Sequence, residues 1–223
     1  MIRIALFALV FIFFSCSSTK NVEVPTMQVK DKIGTNENFL ALVALYSQIQ
    51  QEHLSAITTY KLLFKNTKNL AYVDMASLSI KNQKLAKHYY GLFKNELTQK
   101  PLILLDVLLK AGEFKKAKKL AKKLFKTNKS MKIYKALYLS SLFLKQNNDA
   151  LLYAQSIYFK APNVTHLANV IYLSDILGSQ KLSLSFLNKF AKLQKCEDPK
   201  ICTHIATSYE KYKEYNLAFK MYQ

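Results

Sequence analysis

A chain of 223 residues, 50% of them hydrophobic, is long enough to bury a substantial core, and its composition excludes wholesale disorder. Only four Gly and four Pro occur, and no alternating run of Val, Ile and Thr is bounded by turn signals, which excludes an all-β domain and leaves an all-helical one. With 33 Lys and Arg against 14 Asp and Glu the net charge is +19, which suits nucleic acid, anionic lipid or an acidic protein as a partner.

The lysine excess has two readings. It accompanies abundant Phe, Tyr, Ile and Asn, the residues that an AT-rich coding sequence supplies by default. It is equally what a selected anionic partner would require.

Met1-Ile-Arg3 is a short positive start, and Ile4 to Phe14 is an unbroken apolar run that ends at Ser15-Cys16. A helix needs ~20 apolar residues to span a bilayer, so the run reads as a secretory signal and not as a stable anchor. Phe13-Phe14-Ser15-Cys16 resembles the lipobox of bacterial lipoproteins, in which a small residue precedes the cysteine that is acylated. The resemblance implies a signal peptide over residues 1–15, lipidation of Cys16, and anchoring by more than the two chains that a stable attachment needs. Ser17 stands where an aspartate would signal inner-membrane retention, so the analogy places the protein on the outer membrane facing the periplasm. Residues 16–38 hold the lipidated Cys16 and a polar stretch with Pro25 and Gly34 and no sustained period. They are expected to form a flexible tether reaching about 70 Å at ~3.3 Å per residue.

From Phe39 to Gln223 the pattern becomes one of paired helices. A small residue recurs near the middle of each second helix: Ala56, Ala86, Ala117, Ala150, Ser183 and Ala218, at intervals of 30 to 35 residues. A small side chain suits the point where two helices joined by a short turn cross most closely. Four positions later a larger or flexible apolar residue shares its face, as at Tyr60, Tyr90, Leu187 and Tyr222. Gly112 and Gly178 stand five residues before their small position, where the turn needs a positive φ. Pro101, Pro162 and Pro199 fall between units, where they end one helix or begin the next.

This register resembles the tetratricopeptide repeat (TPR) family. Gly112, Phe114 and Ala117 match the family's Gly–aromatic–Ala series around the central turn, as do Tyr209, Tyr215 and Ala218, and Pro162 matches its closing proline. Sel1-like and other α-solenoid modules share the architecture. The resemblance implies an α-solenoid of about five to six helix-turn-helix repeats, none able to bury its apolar face without its neighbour. It also implies a groove lined by first helices, and Tyr46, Tyr134, Tyr138, Tyr172 and Tyr209 fall in first helices where they could present rings to it. Second helices would face the other way. The third unit's second helix, GEFKKAKKLAKKLFK, has an apolar stripe of Ala117, Leu120, Ala121 and Leu124, with seven lysines over the remainder. Lys115, Lys116, Lys119, Lys122, Lys123 and Lys126 are expected to point outward as a basic surface, either solvated or set against an anionic layer. In the last unit Phe219 and Tyr222 are expected to be partly uncovered.

Cys196 and Cys202 lie outside the cytoplasm if the signal holds, and Pro199 between them turns the chain back. A disulfide between them would stabilise by ~2 kcal/mol or less. The alternative is a redox or metal pair, though the spacing is not Cys-x-x-Cys and no second ligand pair accompanies it. His53, His88, His166 and His204 are dispersed and never share a metal-binding spacing; His166 and His204 sit in first helices, where binding roles are conceivable. Asp106 and Asp175 belong to different units, and no phosphate loop, nucleophile elbow or zinc signature occurs. Two sequons, at Asn128 and Asn163, read as turns or helix starts.

The expectation is therefore a non-enzymatic scaffold of the bacterial cell envelope that binds protein partners and has no cofactor, no metal and no nucleic acid ligand. Two alternatives remain: an accessory to peptidoglycan processing, or, without a signal peptide, a basic nucleic-acid-binding repeat protein.

Overall fold

The computed structural model describes residues 36–191 and 198–222. The signal segment, Cys16, most of the tether and Cys196 lie outside the described residues. The described part is all α-helical and forms six helix pairs. They are α1 (Glu37–Ile49) with α2 (His53–Thr67), α3 (Ala71–Ser77) with α4 (Gln83–Phe93), and α5 (Pro101–Lys110) with α6 (Phe114–Phe125). Then follow α7 (Met131–Phe143) with α8 (Asn147–Lys160), α9 (Val164–Ile176) with α10 (Gln180–Ala191), and α11 (Pro199–Lys211) with α12 (Tyr215–Tyr222). A 3₁₀ turn, Glu96–Gln99, joins the second pair to the third.

The first helix begins at Glu37, two residues ahead of the expected start at Phe39. Glu37 suits the positive end of the helix and accepts a hydrogen bond from the Tyr72 hydroxyl at 2.5 Å, which ties the start of unit 1 to unit 2. Pro101 and Pro199 occupy first-turn positions of α5 and α11, where no intrahelical N–H is lost. Asn163 and Asp198 cap α9 and α11, accepting from His166 N and from Lys200 N and Ile201 N. The Asn163 sequon is thus a helix start. Asn128 Oδ1 accepts from Ser130 N in the turn before α7.

Five of the six pairs are closed by the same turn. The residue five before the small position takes a left-handed conformation: Gln51 (φ 63°), Gly112 (77°), Lys145 (57°), Gly178 (66°) and Lys213 (63°). In each, the next amide donates back to a carbonyl five residues earlier, as in Glu113 N to Leu108 O at 2.8 Å and Gln146 N to Ser141 O at 2.9 Å. The left-handed residue donates to a carbonyl three residues back, as in Gly112 N to Leu109 O at 3.1 Å. These are the two bonds of a Schellman closure, so the carbonyls orphaned at the end of each first helix are satisfied. Unit 2 is the exception. Its first helix has 7 residues, and α4 is started instead by Asn82, whose side chain accepts from Leu85 N at 2.9 Å.

The six small residues lie where the register predicts. Ala56, Ala86, Ala117, Ala150 and Ser183 are completely buried and Ala218 is 2% exposed, so each takes a site that a larger side chain would force open. Around them the core runs as three consecutive clusters. The first spans units 1 and 2 into α5, the second joins units 3 and 4, and the third joins units 4 to 6. Consecutive helices pack on one another from α1 to α10 and again from α11 to α12, and α11 meets α10 through the Tyr209 hydroxyl on Leu187 O at 2.9 Å. First helices also touch first helices of the following unit, in the pairs α3 and α5, α5 and α7, and α9 and α11, and α2 touches α4. The result is two layers, one of first helices and one of second helices.

Candidate protein-binding groove and the lysine face

The first-helix layer carries an apolar cleft of 180 Å³ where α7 and α9 part above α8. Lys135, Tyr138 and Leu139 form one wall, Thr165, His166 and Asn169 the other, and Ala154 and Ile157 the floor. The walls thus come from the first helices of two neighbouring units, and the floor from the second helix between them. From the cleft a row of rings continues along the layer. Burial raises the Tyr138 phenol above its ordinary range, and nearby Tyr172 raises it further. Tyr172 in turn meets His204 of α11 edge to face, with ring centroids 5.3 Å apart.

His204 is only partly exposed, and burial lowers its pKa from 6.5, although Asp175 acts against that shift. Its Nε2 is buried and makes no hydrogen bond. His166 is differently placed. Its Nδ1 lies 2.8 Å from Ala161 O and 3.0 Å from Asn163 Nδ2, so the ring belongs to the cap of α9 while its edge borders the cleft.

Of the five tyrosines expected at the groove, Tyr138 lines the cleft and Tyr172 lies near enough to raise its pKa. Tyr46 is exposed on α1, in the first unit, among Leu42, Leu45 and Ile49. Tyr134 turns toward the second helices, edge-on to Phe125 at 5.0 Å and with Lys160 Nζ 5.2 Å from its ring. Tyr209 corrects the expectation: it is 1% exposed, donates from its hydroxyl to Leu187 O at 2.9 Å and has its pKa raised by burial to about 12. The reason lies in the register. Tyr209 stands nine residues before its small residue, as do Ser47, Leu108, Ser141 and Ser174, and all five are buried at the position whose carbonyl accepts the bond that closes the turn.

The lysine face of α6 is laid out largely as its sequence suggests. Lys115, Lys116, Lys119, Lys122, Lys123 and Lys126 are exposed, while Ala117 and Ala121 are buried. Lys116 pairs with Glu113 at 3.1 Å. The seventh lysine departs from the pattern. Lys118 is 7% exposed and donates to Asp149 Oδ2 at 2.6 Å and to Gln146 Oε1, tying unit 3 to unit 4 and holding the Asp149 carboxyl below its ordinary range. Its repeat position, one after the small residue, is filled by Ile57, Leu151 and Leu184 in other units. In the remaining two units the position holds Lys87 and Phe219, both exposed, so alignment alone does not mark the site as buried.

Asp175 is a second residue that sequence reading missed. It accepts hydrogen bonds at 2.6 Å from Ser183 Oγ, Ser208 Oγ and Tyr212 OH, joining α9, α10 and the end of α11. With three short bonds to hydroxyls it is a structural hub. Cys202, on α11, is disulfide-bonded. Phe219 and Tyr222 are exposed at 63% and 52%. Among the described residues no three His, Cys, Asp or Glu side chains gather as metal ligands, and no helix is long and apolar enough to cross a membrane.

No family model matches the chain, and no curated protein matches it. Solved structures do. A tetratricopeptide repeat protein from Parabacteroides merdae ATCC 43184 is 10% identical, with 83% of this chain and 76% of that chain covered and a TM-score of 0.55. The RS-1 MamA double mutant is 12% identical, with 83% and 90% covered and a TM-score of 0.48. The TPR2AB domain of yeast Sti1, in complex with pHSP90, is 13% identical, with 84% and 88% covered and a TM-score of 0.39. At such identities likeness speaks to fold alone, and the first of these carries it. The chain is a TPR-like α-solenoid.

Proposed function

We propose that this chain is a non-catalytic scaffold that holds a protein partner along its first-helix layer and is anchored to a cell-envelope membrane through Cys16. The observation that carries the reading is the apolar cleft between α7 and α9, continued by Tyr138, Tyr172 and His204. An apolar side chain of an extended partner segment fits the cleft, and Lys135 at its wall suits a carboxylate beside it. Stacked units make such a surface rigid, so the ordering cost on this side of the contact is small. The anchoring part of the proposal rests on the lipobox resemblance of residues 13–16 and on the polar stretch that follows.

Site-specific photo-crosslinking tests the groove. A photoreactive residue at Asn169 is expected to trap a discrete protein in intact cells, and one at Ser185, exposed on α10, is not. Equal labelling from both positions, or none from Asn169, overturns the groove. Fractionation tests the anchor separately: wild type is expected with membranes and labelled by fatty acid, and Cys16→Ala unlabelled. Purified protein that releases muropeptides from cell wall would replace the scaffold reading with the peptidoglycan one.

A further inference from the structure

The two helix layers differ sharply in charge. The six first helices hold five lysines and five carboxylates, whereas the six second helices hold fourteen lysines and a single carboxylate, Asp149. That one carboxylate is already engaged by Lys118. First-layer acids are met locally, as in Lys132 with Asp106 at 2.5 Å. A lysine excess set only by nucleotide composition has no reason to avoid one layer, because first helices also have exposed positions, held by Leu42, Tyr46, Leu139 and Tyr172. The segregation follows the tertiary structure, so it points to a partner.

We propose that the second-helix layer is a docking face for an anionic phospholipid surface, with α6 as its principal contact, leaving the first-helix groove turned away from the membrane. The chemistry favours lipid over nucleic acid. The only arginine in the chain is Arg3, so the described residues offer no planar fork for phosphate or base edges, only lysine point charges of the kind that long-range attraction to a headgroup layer uses. Leu54, Leu152 and Phe159 are exposed on the same layer, at 54%, 57% and 64%, and Lys189 lies 5.4 Å from the Phe159 ring. Apolar side chains flanked by long lysine stems suit the headgroup boundary, where the stems lie along the acyl edge and the ammonium groups stay wet. This contact is independent of the acyl chain and stands whether or not Cys16 is modified.

The test is binding of the full-length Cys16→Ala protein to vesicles of phosphatidylcholine alone and of phosphatidylcholine with phosphatidylglycerol. Two double variants remove equal charge from opposite layers: Lys119→Gln with Lys123→Gln, and Lys135→Gln with Lys200→Gln. All four lysines are outside ion pairs among the described residues. The Cys16→Ala protein without further change is expected to bind phosphatidylglycerol vesicles more tightly, in a salt-sensitive way, and the α6 double variant in the same background to lose roughly 30-fold of that affinity. The first-layer variant is expected to lose at most a few-fold. Thermal melts should leave both variants folded. Equal losses in the two variants, no preference for phosphatidylglycerol, or duplex DNA bound more tightly than vesicles would each overturn the proposal.

Discussion

The turns that close α5 with α6 and α9 with α10 carry the same residue type, the same left-handed backbone and the same pair of hydrogen bonds, yet their surroundings differ. A Cβ at Gly112 would lie 2.5 Å from Gln83 Nε2, which donates to Ala111 O at 3.1 Å across the unit boundary; at Gly178 nothing stands within 4 Å. Unit 5 is instead held to unit 6 by Asp175 and its three hydroxyl partners, and unit 3 to unit 4 by buried Lys118. The closure within a unit is repeated chemistry, because every pair faces the same problem of orphaned carbonyls. The joints between units are individual, because each depends on which polar side chains two neighbours happen to bring together.

That contrast can be broken most severely at Asp175. Asp175→Ala leaves the hydroxyls of Ser183, Ser208 and Tyr212 without their carboxylate, so denaturant unfolding should show a loss of about 3 kcal/mol. Next in size comes the pair of glycines. Gly112→Ala should cost about 2 kcal/mol, from a strained left-handed alanine together with displacement of Gln83, whereas Gly178→Ala should cost about 1 kcal/mol from backbone strain alone. Equal melting shifts for the two would show that Gln83 moves aside without loss. Smaller again, and opposite in sign, Lys145→Gly should stabilise by about 0.5 kcal/mol by relieving a lysine at φ 57°.

The smallest expected effect is a pH dependence at His204. Burial lowers its folded pKa below the unfolded value of 6.5, so the unfolded chain binds its proton first as pH falls. The stability that His204 contributes is complete above about pH 6.5 and declines as pH drops below it toward the folded pKa. His204→Gln should flatten this part of the stability profile in acid titration, and a variant as acid-sensitive as wild type would assign the dependence to another group.

Much of the fold could be read from spacing. Six small residues predicted six helix crossings, and Gly112 and Gly178 predicted left-handed turns, because both signals answer to local steric demands. Gln51, Lys145 and Lys213 take the same conformation without glycine and gave no compositional sign; only their position in the register marks them. The candidate groove was read less well. Tyr138 lines the cleft with Tyr172 near enough to raise its pKa, but Tyr209 is in the core and Tyr134 faces the other layer, since membership of a first helix does not say which side of that helix a ring occupies. Lys118 stood outside the set expected to point outward, but its burial was not legible for a related reason: on an isolated helix a lysine looks solvated, and Gln146 and Asp149, some thirty residues away, make its burial tolerable.

The amino-acid sequence by itself determined that helices form in pairs, where each pair turns and which residue stands at each crossing, because those features depend on neighbours within about one turn of the chain. It also determined the total charge. Which polar groups would satisfy one another across units, and that second helices would carry most of the helical lysines, was decided by the stacking of units, because charge and hydrogen bonding act through space between residues the chain holds some thirty positions apart.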